Sequence, residues 1–147
     1  SQKSISNYDY VVFTDGSGST PDLAIGWAIF AFNTKTSEII KQVGYFSNGT
    51  VNQAELLGIS TFLQYLDAIK VTQGKLLVIS DSEVTVKCGN GEYGRNANKG
   101  LWALLDYYKS VGFNVEFMWV KRNSNICSTW CDIESKEIRQ RNKNGIL

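Results

Sequence analysis

Residues 75–80 (KLLVIS) form an uninterrupted apolar run that ends at an acidic residue, Asp81. A continuous apolar run of this length, without polar alternation, is typical of a strand inside a sheet whose two faces are both covered. Such a strand needs other strands beside it and helices packed on both faces. The rest of the sequence therefore has to supply a layered α/β fold.

The flanking sequence contains those elements. Three strand patterns precede the apolar run, at 8–14, 24–32 and 38–46, and a polar stretch of hairpin-loop length joins the second to the third. Apolar residues at helical spacing predict a helix over 52–70. The elements predicted after the apolar run are a short helix at 83–88, a helix at 101–111, a strand at 114–120 and a helix at 128–140. The predicted fold class is α/β, a five-stranded mixed sheet in the order βββαβαβα with helices on both faces.

The length of 147 residues, 43% of them hydrophobic, predicts one domain over 1–147, with 1–7 and 142–147 frayed. A net charge of +1 neither requires nor excludes a nucleic-acid partner, so any basic surface has to be local. No apolar run reaches the roughly 20 residues of a membrane span. Three cysteines without a CxxC pair or a histidine favour reduced thiols. We expect a soluble intracellular domain with no membrane partner.

Three carboxylates are placed where carboxylates are unusual. Asp15 and Asp81 each follow an apolar strand pattern, and ligand sites of α/β sheets lie beyond the carboxyl ends of the strands. Glu55 shares the apolar face of the first predicted helix, although a glutamate normally faces solvent. Acids that meet at the edge of a core repel one another unless cations neutralise them. Mg²⁺ and Mn²⁺ prefer such oxygen ligands, and two ions about 3.5–4 Å apart can clamp a phosphodiester for attack by water.

Each of these acids also has a purely structural interpretation. Asp15 and Gly16 form a common turn dipeptide. Asp81 could cap the helix that follows it, and Glu55 could favour a helix N-terminus through the helix dipole. The placement of all three acids at one sheet edge favours the metal site over three unrelated roles.

Four segments in order resemble the ribonuclease H family: VVFTDGSGS (11–19), NQAELLGIS (52–60), VISDSEVTV (78–86) and VEFMWVKRNSNICSTWCDIESKEIR (115–139). The similarity extends over nearly the whole chain. It implies the type I RNase H fold and a nuclease that hydrolyses the RNA strand of RNA–DNA hybrids, leaving 5′-phosphate and 3′-hydroxyl ends. The implied partner is therefore an RNA–DNA hybrid.

The resemblance also implies roles for individual residues. The catalytic and metal-binding acids would be Asp15, Glu55, Asp81 and Asp132. Asp15 would bridge two Mg²⁺ or Mn²⁺ ions, with Glu55 and Asp81 on one ion and Asp132 on the other. For Asp132 a role in a capping box is the alternative. The residues expected at the substrate are Gly16, Ser17, Gly18 and Ser19 in a loop near the RNA strand, Asn52, and Lys121 and Arg122, which could meet phosphates or lie in a solvated loop.

Three departures from the family pattern leave alternatives open. The loop before the last helix has no histidine, Val51 stands where an asparagine is usual, and the segment 89–99 replaces a longer basic substrate handle. A missing acid–base group predicts slower turnover, and a short handle predicts weak binding to hybrid alone. The chain is then a monomer or one domain of a larger polyprotein or complex, including a viral or mobile-element protein. The alternatives are a weak or inactive nucleic-acid binding or tethering module, and a different nuclease of the same fold.

Overall fold

The computed structural model describes residues 4–19 and 21–147. Five strands form one mixed sheet in the order β3-β2-β1-β4-β5. The strands are β1 (Tyr10–Gly18), β2 (Ile25–Asn33), β3 (Ile39–Phe46), β4 (Gly74–Ser80) and β5 (Phe113–Trp119). The helices are α1 (Val51–Ala68), α2 (Glu83–Gly89), α3 (Lys99–Val111) and α4 (Ile126–Lys143), and a short 3-10 turn at Ile5–Asn7 precedes β1. The predicted βββαβαβα order is confirmed, with the short α2 preceding α3 between β4 and β5.

The sheet combines an antiparallel meander with a parallel half. β1 pairs antiparallel with β2, and β2 pairs antiparallel with β3. β4 lies parallel to both β1 and β5. The apolar run that became β4 is thus an interior strand, as its lack of alternation predicted.

Both faces of the sheet are covered. On one face α1 presents Leu56, Ile59 and Phe62 to the larger core, which includes Val12 of β1 and Val78 of β4. Residues next to these in the strands point the other way, and a smaller cluster on the opposite face contains Val11, Leu77 and Ile79. Helix α4 packs against β1, β2 and β3 on that side.

Helix α4 approaches the sheet closely at Gly26 of β2. A Cβ atom built on Gly26 would collide with the carbonyl oxygen of Ser135 and would lie 2.7 Å from the backbone nitrogen of Arg139. The same contact is strengthened by Arg139, whose guanidinium donates to the Ala24 carbonyl and to both oxygens of Asp22. The helix is therefore held at this distance by backbone, which cannot rotate out of the way.

Replacing Gly26 with alanine will lower the free energy of unfolding by about 2 kcal/mol, because the helix has to move away from the sheet. Thermal unfolding followed by circular dichroism should show a fall of roughly 6 °C. Gly100 is the matched control, since it lies in α3 with nothing within 4 Å of an added Cβ. Gly100→Ala should be neutral or slightly stabilising. Equal unfolding temperatures for the two variants would contradict the close α4 contact.

Most element ends lie within two residues of the sequence prediction, and two differ by three residues or more. β1 continues through Asp15 to Gly18, because these residues pair with Ile25 to Ala28 of β2 instead of forming a turn. α4 continues to Lys143, beyond the predicted end, and the side-chain amide of Asn142 donates to the carbonyls of Ile25 and Phe46. Residues 1–3 of the segment predicted to fray lie outside the described residues. Within the part of the chain that is described, no helix has the length and apolar character needed to cross a membrane.

Candidate metal centre

The candidate site lies where β1 and β4 stop pairing. Their parallel pairing ends at Phe13 and Ile79, after which β1 stays with β2 while β4 ends at Ser80. Asp15 and Asp81 both follow this point by two residues. The carboxyl ends of two neighbouring parallel strands thus bring these acids to one edge of the sheet, as the sequence predicted.

Glu55 reaches the same edge from α1. It is the fifth residue of the helix and is 1% exposed. The Ser80 hydroxyl donates a hydrogen bond of 2.6 Å to its Oε1 atom. The first turn of α1 contains no acidic residue, so Glu55 lies beyond the turn where the helix dipole favours an acid, and Thr50 caps the helix by accepting from the Gln53 amide.

One carboxylate oxygen from each of Asp15, Glu55 and Asp81 lies within 4.8 Å of the other two. Asp15 is 5% exposed, and its Oδ1 atom accepts from the Gly16 amide. The structural alternative for Asp81 is not observed, because Ser82 caps α2 by accepting from the Thr85 amide. The three acids that sequence reasoning placed together are therefore brought together.

Asp132 stands beside this cluster on α4. The charge of Asp132 raises the pKa values of both Asp15 and Asp81, although its carboxylate lies outside the 4.8 Å group that the other three acids form. The N-cap of α4 is Asn125, which accepts from the Ser128 amide, so Asp132 is not the second member of a capping box. Four acids thus converge from two strand ends and two helices.

Burial and mutual repulsion keep protons on this cluster. Burial, followed by the charges of Asp81 and Asp132, raises the pKa of Asp15 to about 7. Burial raises the pKa of Glu55 to about 8, although the hydrogen bond from Ser80 opposes the shift. The pKa of Asp81 is also raised by burial, and the nearby Arg122 works against that rise. The charged forms of these acids are therefore costly in the absence of a cation.

Within residues 4–19 and 21–147, basic side chains form ion pairs on only one side of the cluster. Arg122 lies between Asp81 and Asp132, and Lys136 forms an ion pair of 3.0 Å with Asp132. Among the described residues, no lysine or arginine forms an ion pair with Asp15 or Glu55. Buried carboxylate oxygens at this spacing without a positive partner are the ligands that hard divalent ions prefer. The residues present therefore fit Mg²⁺ or Mn²⁺.

The segment Gly16, Ser17, Gly18 and Ser19, predicted to approach a substrate, is the end of β1 and the residue after it. Gly16 is buried, and an added Cβ would lie 2.8 Å from both the Ala54 Cβ and the Val51 carbonyl oxygen. The first turn of α1 therefore packs on the backbone of Gly16, which gives this glycine a structural reason. Ser17 and Gly18 are half-buried, and Ser19 is exposed.

The other residues predicted at the substrate lie around the rim. Asn52 is exposed in the first turn of α1, with its Oδ1 atom 3.5 Å from the Ser82 hydroxyl. Lys121 and Arg122 are exposed in the turn after β5. A cavity of about 190 Å³ opens beside Asn52, between α1, α2 and the segment before α3.

The segment between α2 and α3 is tied down by Arg95. Its guanidinium pairs with Asp106 at 2.8 Å, donates to the Cys88 carbonyl and lies 4.5 Å from the centre of the Trp102 ring. Trp102 itself is buried in the core. Arg95, the one basic residue of this segment (90–98), is thus engaged within the fold.

Sequence reasoning missed three residues that touch the acids. The indole N–H of Trp119 donates a bond of 3.0 Å to the Asp81 carbonyl, and this tryptophan is 49% exposed. Ser80 of β4 donates a hydrogen bond to Glu55 of α1, and no local sequence pattern predicts this contact between two elements. The contact of Lys136 could have been predicted, because Lys136 lies four residues after Asp132 on the same helix face.

Comparisons with known proteins agree with this architecture. The family model of RNase H matches residues 7–136. The N-terminal RNase H domain of a Mycobacterium tuberculosis protein, solved as a fusion with maltose binding protein, superposes with a TM-score of 0.77 at 19% identity, covering 94% of this chain and 98% of that one.

Two further structures are similar. LC11-RNase H1, solved in complex with an RNA/DNA hybrid, gives a TM-score of 0.74 at 21% identity, over 87% of this chain and 94% of that one. The protease-reverse transcriptase of prototype foamy virus gives 0.66 at 21% identity, over 97% of this chain and 22% of that one. A comparison with curated protein sequences finds no match. Since the family model covers most of the chain, the chain belongs to the RNase H family.

Proposed function

We propose that this chain is a ribonuclease H that hydrolyses the RNA strand of RNA–DNA hybrids endonucleolytically, with Mg²⁺ or Mn²⁺ as its cofactor. The observation that carries the proposal is the meeting of Asp15, Glu55 and Asp81 within 4.8 Å at the strand ends, in a chain of this family. Buried acids at this density are costly to the fold unless they hold cations. Their retention together favours a working metal site.

The four acids would hold two ions. Asp15 would bridge them, Glu55 and Asp81 would complete one ligand set, and Asp132 would belong to the other. When bound, such ions supply an activated water and neutralise the charge that develops on the phosphate. Ser80 would keep the Glu55 carboxylate aimed at the site through its hydrogen bond.

The rim would handle the substrate. The backbone and hydroxyls of Gly16, Ser17, Gly18 and Ser19 would face the RNA strand, whose 2′-hydroxyls distinguish it from DNA. Asn52, beside the cavity next to α2, would contact the hybrid, and the exposed Lys121 and Arg122 would meet phosphates. These contacts would give the enzyme its preference for an RNA–DNA hybrid.

Turnover and affinity should both be modest. The chain has no histidine that could act as an acid–base group, a role that typically contributes about 10²–10⁴-fold. Arg95 is engaged with Asp106 and Trp102, so the segment before α3 offers few free positive charges. A weakly held hybrid fits a domain that works within a larger polyprotein or complex, an arrangement seen in the foamy virus chain. As a lone chain it would act as a monomer.

A catalytically weak or inactive binding module is the second candidate, and the engaged Arg95 together with the missing histidine favours it. The retention of all four acids opposes it. We place either activity in the cytoplasm or nucleus, because Cys88, Cys127 and Cys131 are all free thiols.

Cleavage of labelled substrates separates these candidates. The chain should cut the RNA strand of a hybrid with Mg²⁺ or Mn²⁺, leave duplex RNA and duplex DNA intact, and stop when the metal is chelated. Asp81→Asn should retain the fold and lose the activity. Binding of hybrid without cleavage would favour the binding module, and cleavage of duplex DNA would favour a different nuclease.

A further inference from the structure

Arg122 joins two acids that come from different parts of the fold. Its Nε atom lies 3.6 Å from Oδ2 of Asp81, which follows β4, and a terminal guanidinium nitrogen lies 3.7 Å from Oδ1 of Asp132 on α4. Both carboxylates are largely covered, with side chains 18% and 13% exposed, whereas the Arg122 side chain is 64% exposed. A solvent-exposed guanidinium thus closes one side of the acid cluster.

The positive charge in the cluster is unevenly distributed. Asp132 also forms an ion pair with Lys136, so the side formed by Asp81 and Asp132 has two basic partners among the described residues. In the described part of the chain, the side formed by Asp15 and Glu55 has no ion-paired lysine or arginine, since the ion pairs of the cluster involve Asp81 and Asp132. The two halves of the cluster therefore start from different electrostatic conditions before any metal binds.

The ion pairs of Arg122 with Asp81 and Asp132 are weak enough for another cation to displace the guanidinium. Strong charge-assisted hydrogen bonds measure about 2.7–2.9 Å, and both Arg122 distances are longer. Ion pairs with one exposed partner are individually weak, and a flexible side chain can leave them at little cost. Arg122 can therefore turn outward when a stronger cation arrives.

We propose that Arg122 is an internal counter-ion that joins the two proposed ligand sets through Asp81 and Asp132 and has to withdraw before both divalent ions are held. This inference rests on the proposed function, because it assumes that the acids bind divalent ions. A guanidinium and a divalent ion that share a carboxylate repel each other, so each weakens the binding of the other. Once turned outward, the guanidinium lies at the rim, where a substrate phosphate would hold it away from the acids.

The test measures Mn²⁺ binding without nucleic acid, by calorimetry and by electron paramagnetic resonance of free Mn²⁺. The proteins are the full chain, Arg122→Gln and Lys121→Gln. Lys121 is the matched control, since it lies next to Arg122, is exposed and makes no ion pair with a carboxylate of residues 4–19 or 21–147. Circular dichroism confirms that each variant is folded.

Arg122→Gln should bind the more weakly held Mn²⁺ about tenfold more tightly, or acquire a second ion that the unchanged chain does not bind. Lys121→Gln should change the affinity by less than about twofold, the effect of a lost charge without contact. Equal shifts in both variants, or none, would overturn the counter-ion role while leaving the nuclease proposal intact. Failure of every protein to bind Mn²⁺ would overturn both.

Discussion

Glu55→Gln will slow hybrid cleavage by about 10³-fold without weakening the fold. Glutamine has nearly the same shape and can still accept the hydrogen bond from Ser80, so the packing around α1 is kept. It lacks the negative charge that a divalent ion requires. Loss of one group that stabilises charge in a covered site typically costs about 10²–10³-fold in rate, and we expect a fall of about 10³-fold.

Single-turnover cleavage of a labelled hybrid measures this loss, and thermal unfolding at pH 8 in the presence of a chelator measures the stability. The unfolding temperature of Glu55→Gln should be at least as high as that of the unchanged chain. Glu92→Gln is the control. Glu92 is exposed in the segment after α2, so its replacement makes the same chemical change away from the acids. Cleavage by Glu55→Gln at the rate of Glu92→Gln would show that Glu55 has no part in the reaction.

The metal-free chain will lose stability as the pH rises from 5.5 to 8. In the folded state the pKa values of Asp15 and Glu55 are about 7 and about 8, well above those of the same groups in an unfolded chain. The folded state therefore keeps protons that the unfolded state has released. Their stabilising effect is complete below the unfolded pKa, near 4, and is lost as the pH rises through the folded values.

Each proton retained only by the folded state changes the free energy of unfolding by up to about 1.4 kcal/mol per pH unit. Because the two acids influence each other, we expect a combined loss of about 3 kcal/mol, or roughly 10 °C in unfolding temperature. Thermal unfolding at a series of pH values in a chelator measures it. Added Mg²⁺ or Mn²⁺ should restore most of the loss at pH 8, since it binds only the folded state.

The double variant Asp15→Asn, Glu55→Gln provides the comparison. Both replacements are neutral, so the fall in unfolding temperature between pH 5.5 and 8 should be largely removed, as should the stabilisation by added metal. A pH dependence equal to that of the unchanged chain would assign the effect to other groups and would remove the electrostatic argument for a metal site.

Most of the fold followed from local patterns. The unbroken apolar run of 75–80 predicted an interior strand, and β4 is that strand. The helical spacing around Ile59 and Phe62 predicted the face that α1 packs on the sheet. The end of β1 did not follow, because the sequence DGSG favours a turn locally while pairing with β2 keeps it extended. Tertiary pairing outweighs local preference there.

The candidate site could be predicted where topology alone brings residues together. Asp15 and Asp81 each lie two residues beyond the point where the parallel strands β1 and β4 stop pairing, so their proximity needs only the strand order. The bonds of Ser80 to Glu55 and of Trp119 to Asp81 depend on side-chain directions at the ends of different elements. No spacing in the sequence encodes those directions. The same holds for Arg122, whose two carboxylate partners are separated by 51 positions along the chain.

The central claim is that the buried acids are tolerated because together they hold divalent ions. A crystal of the chain soaked in Mn²⁺ tests it directly, since anomalous scattering locates manganese independently of the rest of the structure. The account predicts a peak coordinated by oxygens of Asp15, Glu55 and Asp81. An ordered cluster without a peak, with those oxygens bound instead by protons or by basic side chains, would contradict it.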